Sequence, residues 1–383
     1  MLKPPVTPGL DALASGQETV LLEELRELRV GILSNPTGVT RDGRSVLEVC
    51  RALELNVVAL FSPEHGPRAD REGSIESGRE GELPIHSLYG ATRRPTPEML
   101  EGLDAILVDL QDVGARFYTY SSTLFHLLEE AIPRGLLVVV LDRPNPLGGE
   151  TIEGPLIEDA LRSFIGLAPL PVTHGMTMGE LARWFCAWRE LDASGLRVAR
   201  VRGWTRNQSW IETGLPWRQP SPNLPNIESA AWYPGLALLE FSGVSVGRGT
   251  AAPFQVLAAP WLDTRALSVA LERALEGTGI AFEALELLPT RATFAGEKCQ
   301  AIRFSLSGAL PPRPVEFGLR VMAALRQAQP DFSRADWDKA GQLLGSARAL
   351  ELLWQGDWQS AVGQANADAE GFRREREAFL LYP

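Results

Sequence analysis

The sequence predicts an α/β protein, with a parallel sheet and its helices in an N-terminal domain and a smaller α+β domain behind it. Three observations predict this. Continuous aliphatic runs, without the alternation of a half-exposed strand, recur at residues 29–34, 57–60, 105–110 and 136–141, and such runs mark strands buried on both faces. Between them lie stretches with helical spacing, the βαβ pattern of a parallel sheet. Beyond Pro253 the pattern changes to isolated strands and long helical sequence.

Residues 9–28 carry leucines at helical spacing, and the first strand at 29–34 ends in Asn35-Pro36-Thr37-Gly38. A helix over 45–55 leads to the second strand, which delivers Ser62-Pro63-Glu64-His65-Gly66. Residues 68–82 are glycine-rich, charged and without periodicity, either an active-site loop or a solvated one. The third strand runs through Asp109 into Gln111, Asp112, Gly114, Arg116 and Tyr118, followed by a helix face of Leu124, Leu127, Leu128 and Ala131. The fourth ends in Asp142-Arg143-Pro144-Asn145. Parallel strands end on one edge, where ligands collect, so these polar ends are expected to converge there.

Thr177 and Glu180 form a capping-box pattern, which makes Glu180 a cap. His174 lies just outside that helix, where it serves either structure or a cleft. The proline-dense stretch 215–225, holding Ser221 and Asn223, either walls a groove or links domains. Gly243 to Thr250 is a second glycine-rich loop in which Arg248 and the amides suit an anion, although it is neither a Walker loop nor a dinucleotide turn. A strand at 254–258, a helix at 264–275, a strand at 300–306 and helical sequence to Tyr382 complete the second domain. The domains are set at 1–234 and 235–383.

Composition narrows the function. The 383 residues are enough for two cores, and 45% hydrophobic with 22% charged residues is ordinary for a folded protein. A net charge of -11 disfavours nucleic acid and anionic membrane as partners. Cys50, Cys186 and Cys299 are widely spaced and form no C-x-x-C, so they are expected as buried thiols. No apolar stretch is long enough to span a bilayer and no h-region follows Lys3, which makes the cytoplasm the expected location.

Glu64 with Asp109, Asp112 or Asp142 suits the paired carboxylates of glycoside hydrolysis. The same acids with His65 and His174 suit a metal-dependent hydrolase, a reading disfavoured by only four histidines and no His-Glu-x-x-His. No Gly-x-Ser-x-Gly elbow exists for a serine hydrolase.

Six blocks carry a family resemblance: Ser62-Pro63-Glu64-His65-Gly66; Asp109 to Tyr120; Asp142-Arg143-Pro144-Asn145-Pro146; His174-Gly175-Met176-Thr177 with Gly179-Glu180; Pro220-Ser221-Pro222-Asn223; and Gly247-Arg248-Gly249-Thr250. In order and spacing they resemble the NamZ/YbbC-like exo-β-N-acetylmuramidases from about Gly31 to Tyr382. The resemblance implies a bacterial peptidoglycan-recycling enzyme that removes N-acetylmuramic acid from the non-reducing end of cell-wall fragments. It implies a Rossmann-like N-terminal domain, a smaller C-terminal domain and an active site in the cleft between them. Glu64 maps to the family's proposed catalytic glutamate, and Asp112 ranks first as the second catalytic group. His65, Asn35, Asp109, Gln111, Arg116, Tyr118, Asp142, Arg143, Asn145, His174, Asn223 and Arg248 are the expected sugar contacts, with no cofactor or metal. Muramic acid carries a lactyl carboxylate, for which Arg116, Arg143 and Arg248 are the candidate partners.

Gly243 and Val246 stand where relatives usually have Asn and Glu, and the loop after Gly66 lacks an expected aromatic. Those departures keep open a silent binder of peptidoglycan fragments.

Overall fold

The computed structural model describes residues 5–306 and 310–383. Its larger sheet contains β1 (Arg29–Ser34), β2 (Asn56–Ser62), β3 (Gly78–Glu80), β4 (Leu83–Ser87), β5 (Ala105–Asp109), β6 (Leu137–Leu141) and β7 (Leu196–Ala199), in the order β3-β4-β2-β1-β5-β6-β7. Every pairing is parallel except β3 with β4. The smaller sheet is antiparallel, β8 (Val256–Ala259), β10 (Cys299–Ser305) and β9 (Ala281–Leu287) side by side.

The four expected strands form the sheet's interior, because their aliphatic side chains are buried on both faces. Ile106, Val108, Val138 and Val140 point into one core, and Val30, Ile32, Ala105, Leu107 and Val139 into the other. The leucine-rich start of the chain folds as two helices, Gly9–Ala14 and Thr19–Leu25, over the second core. Helices Tyr120–Ala131 and Met178–Trp188 cover the first. Capping boxes at Ser45 with Glu48 and Thr177 with Glu180 start helices Val46–Ala52 and Met178–Trp188, the second as the sequence pattern expects.

Four strands escape the sequence reading. β7 and β9 are short or half-exposed, and β3 with β4 lies in and just beyond the polar 68–82 stretch. β3 is wholly exposed and takes its shape from pairing with β4, not from its own hydrophobicity.

The two lobes share one continuous core running from the first sheet face to Leu257, Phe304, Val315 and Trp337. Helix Ile227–Leu236, where the chain passes from one lobe to the other, packs against helix Pro314–Ala328. A β-carbon on Gly318 would collide with the Gly235 carbonyl oxygen, so two glycines permit the crossing. Glu153 ties the lobes nearby: its carboxylate accepts from Val315 N at 3.1 Å and Arg313 Nε at 3.0 Å, at the start of the second helix.

Burial pushes the Glu153 carboxyl up to about 7, against the pull of those two donors. The folded chain therefore keeps a proton there that the unfolded chain releases near pH 4.5, and stability falls as pH rises from about 4.5 to 7. In urea unfolding across that range, Glu153→Gln should flatten the fall by up to about 3 kcal/mol; equal slopes in parent and variant would refute the assignment.

Candidate active site

The parallel strands do end together, but two different structures occupy their common edge. In the sheet order the chain moves outward from β1 through β2 to β4, then returns to β5 beside β1. The crevice at such a reversal is the usual ligand position. Here protein fills most of it, leaving a narrow crevice bordered by Gln111, Arg143 and Trp210. Asn35 gives its amide to the Tyr120 hydroxyl, and its oxygen accepts from Thr37 N at 3.0 Å and Thr37 Oγ1 at 2.6 Å. Thr37 Oγ1 accepts from Gln111 N at 3.0 Å, and Gln111 Nε2 donates to the Asp112 and Pro144 carbonyls. Asp109, fully buried, is paired with Arg143, whose Nη2 donates to Oδ2 at 2.9 Å.

The other expected contacts in this region are likewise consumed. Asp142 accepts from Thr177 Oγ1 at 2.7 Å, from Gly179 N at 2.9 Å and from the Tyr382 hydroxyl, so it anchors the end of the chain. Burial raises its pKa to about 6, opposed by those donors. Asn145 bridges Met176 O and Leu147 N. Glu180 caps its helix and pairs with Arg206 at 2.7 Å.

Arg116 is 2% exposed, and its guanidinium donates to four carbonyls: Pro155 at 2.8 Å, Leu170 at 2.6 Å, Leu343 at 2.8 Å and Leu344 at 2.9 Å. It knots three segments together and has no donor free for a lactyl group except a buried Nε. His174 accepts from Met176 N at Nδ1, which leaves the proton on Nε2, 3.5 Å from Asp112 Oδ2. Asp112 also accepts from Gly114 N at 2.7 Å. Both are buried and neither lines the open cavity.

That cavity, of about 780 Å³ including its mouth, lies beside this network, between the end of β2 and the C-terminal lobe. Its size is within the ordinary range for a small-molecule site. Glu64, His65, Tyr118, Asn223 and Arg248 line it, so five of the expected residues meet there. His65 (φ 68°) and Gly66 (φ 75°) both take left-handed backbone, which turns the chain sharply after Glu64. For histidine that conformation costs roughly 1 kcal/mol, and His65 is held in it by a 2.8 Å contact from Nδ1 to Arg71 O. The Glu64 carboxylate accepts from the Thr119 hydroxyl and lies beside Tyr89, whose phenol is pushed up to about 12 by burial and by the Glu64 charge.

The far wall comes from the C-terminal side. Arg248 pairs with Glu240 and, through Nη2 at 2.9 Å, with Glu72. Burial raises the Glu240 pKa; Arg248 opposes it, and the charges of Glu64 and Glu72 add to it. The proline-dense stretch is a wall: Ser221, Asn223 and Leu224 line the cavity, and Pro220 O accepts from Tyr120 Oη at 2.6 Å. Phe241, Tyr233 and Phe254 add aromatic surface, suited to sugar faces.

Glu240, Glu72, Tyr89 and Thr119 are absent from the sequence-derived set. The one available signal was for Glu240, a lone acid inside the apolar run Leu236 to Phe241. Of the departures from the expected blocks, Gly243 and Val246 fall outside the cavity lining: Val246 is core, and Gly243, at φ 79°, faces Asp336. Among the described residues, no three His, Cys, Asp or Glu side chains gather as a metal site, and Asp109 is spent on Arg143. No described helix is long and apolar enough to cross a membrane.

A parallel α/β lobe joined to a smaller lobe, with carboxylates, an arginine and aromatics around a sugar-sized cavity, suits a carbohydrate-active protein, and the comparisons make it a glycoside hydrolase. The chain belongs to the exo-beta-N-acetylmuramidase NamZ family: residues 30–228 match its N-terminal domain and residues 231–382 its C-terminal domain. It is 35% identical over 387 aligned positions to the peptidoglycan beta-N-acetylmuramidase NamZ of Bacillus subtilis (strain 168), covering 99% of this chain and 92% of the relative. A crystal structure of a DUF1343 family protein from Bacteroides fragilis NCTC 9343 superposes with a TM-score of 0.89 at 32% identity, covering 100% of both chains. A second DUF1343 protein from the same strain gives a TM-score of 0.77 at 27% identity, covering 99% of each.

Proposed function

We propose that this chain is an exo-acting β-N-acetylmuramidase that releases N-acetylmuramic acid from the non-reducing end of peptidoglycan fragments during cell-wall recycling. Glu64 is its general acid or base. The observation that carries this reading is that Glu64 and Arg248 line the same sugar-sized cavity. A carboxylate for the glycosidic oxygen and a guanidinium for the lactyl carboxylate are the two groups that hydrolysis of a muramide demands. Thr119 and Tyr89 orient Glu64, while Glu240 holds Arg248. Asp112, first in sequence rank as the second catalytic group, lies in the buried layer with His174, and Glu240 is the second carboxylate that the cavity presents.

Incubation with a chromogenic N-acetylmuramide and with the matching N-acetylglucosaminide tests the reading. Release from the muramide is expected, at a rate far above the glucosaminide. Release from neither, or from the glucosaminide alone, would overturn it.

A further inference from the structure

The Arg248 guanidinium is not free in this structure. Its Nη1 is held by Glu240, and its Nη2 donates to Glu72 Oε1, which also accepts from the Asn223 amide. Glu72 comes from 71–77, a stretch without helix or strand, and its side chain is 38% exposed against 15% for Glu240. Around the cavity, Glu72 and Glu240 thus share Arg248, while Glu64 accepts from Thr119. Two further cations act nearby: Arg291, which donates to Pro222 O at 3.2 Å, on Glu72, and Arg93, over the rings of Tyr89 and Phe164, on Tyr89. A carboxylate brought by an acidic sugar would be the third on one guanidinium, so repulsion among like charges favours the departure of one acid.

Glu72 is the acid placed to leave, because it is the more exposed of the two on Arg248 and is held by a loop. The position it occupies is a built one. Asn223 is 5% exposed with its Oδ1 unpartnered, and Arg248 Nε is likewise buried without a partner. A guanidinium edge and an amide N–H converging on one carboxylate form a fork of the kind that recognises carboxylates by two charge-assisted bonds.

We propose that Glu72 occupies, in the free protein, the place on Arg248 and Asn223 that the lactyl carboxylate of the substrate takes, so that this loop acid tunes affinity and selectivity for acidic sugars. The proposal rests on the muramide reading above. Exchange of one carboxylate for another leaves the Arg248 charge balance unchanged, and the loop carrying Glu72 moves aside as the sugar enters.

Calorimetric titration of the full chain and of Glu72→Gln with N-acetylmuramic acid, and in parallel with N-acetylglucosamine, tests it. Glu72→Gln should bind N-acetylmuramic acid at least about fivefold more tightly than the parent, with N-acetylglucosamine affinity changed less than about twofold. Glu72→Ala should show the same selective gain, and adding Arg248→Met should abolish it. Unchanged or weakened muramic acid binding in both Glu72 variants overturns the proposal. An equal gain for both sugars also overturns it, since that reports only a loosened loop. Failure of every chain to bind either sugar contradicts the sugar reading of the cavity itself.

Discussion

Glu64→Gln should lower kcat/KM for a chromogenic N-acetylmuramide by about a thousandfold, within the roughly 10²–10⁴ range for loss of one general acid or base, while the fold survives. The introduced amide would still accept from the Thr119 hydroxyl, and among the described residues Glu64 belongs to no ion pair, so its replacement breaks no structural tie. The residual rate should come from positioning by the rest of the cavity. Near-ultraviolet circular dichroism and the urea midpoint, measured beside the kinetics, separate lost chemistry from lost structure. A variant that keeps most of the parent rate would move the proton-transfer role elsewhere, with Glu240 the next carboxylate in the cavity.

Arg116→Met should act in the opposite way, on stability before activity. Four backbone carbonyls from three segments converge on one buried guanidinium, and burial pulls its pKa down to about 9. Removing the guanidinium leaves buried acceptors without donors, at about 1–3 kcal/mol for each group left unsatisfied. The effects are not additive, and the expected loss is about 4 kcal/mol or more, read as a lowered denaturant midpoint. Arg116→Lys should recover part of it, because an ammonium reaches fewer of the four oxygens. A variant of parental stability with a roughly tenfold higher KM for the muramide would instead make Arg116 a substrate ligand.

The contrast between Glu64 and Arg116 separates what the sequence reveals from what it hides. Strands were legible because burial on both faces writes an unbroken aliphatic run, as at Val138, Val139 and Val140. The rim position of Glu64 was legible because such a run stops abruptly at Ser62-Pro63. The division of the rim was not. Asn35, Asp109, Asp142, Arg143 and Glu64 all stand at strand ends, yet the first four are held by protein partners in a buried layer and, of the five, only Glu64 opens to the cavity. Nothing in their spacing distinguishes a polar residue aimed at protein from one aimed at solvent, since the choice depends on partners far away in sequence: Arg143 meets Asp109 across 34 residues, and Asp142 meets Tyr382 across 240.

Distance along the chain also explains the residues that were missed. Glu72 and Arg248 are separated by 176 positions and become neighbours only because the C-terminal lobe folds over the end of β2. Glu240 is held by Arg248, 8 residues on, but its turn after helix Ile227–Leu236 has no periodic signature. β3 and β4 were invisible for a related reason, because an exposed strand of 3 residues is specified by its neighbour's edge.

The central claim is that the sugar sits in the cavity between Glu64 and Arg248, not in the narrower crevice bordered by Gln111, Arg143 and Trp210. A crystal structure of Glu64→Gln with an N-acetylmuramyl disaccharide tests it most directly. The account predicts the glycosidic oxygen within hydrogen-bond distance of the amide introduced in place of Glu64, and the lactyl carboxylate on Arg248 and Asn223. Disaccharide density in the Arg143 crevice, with the Glu64 cavity empty, would contradict it.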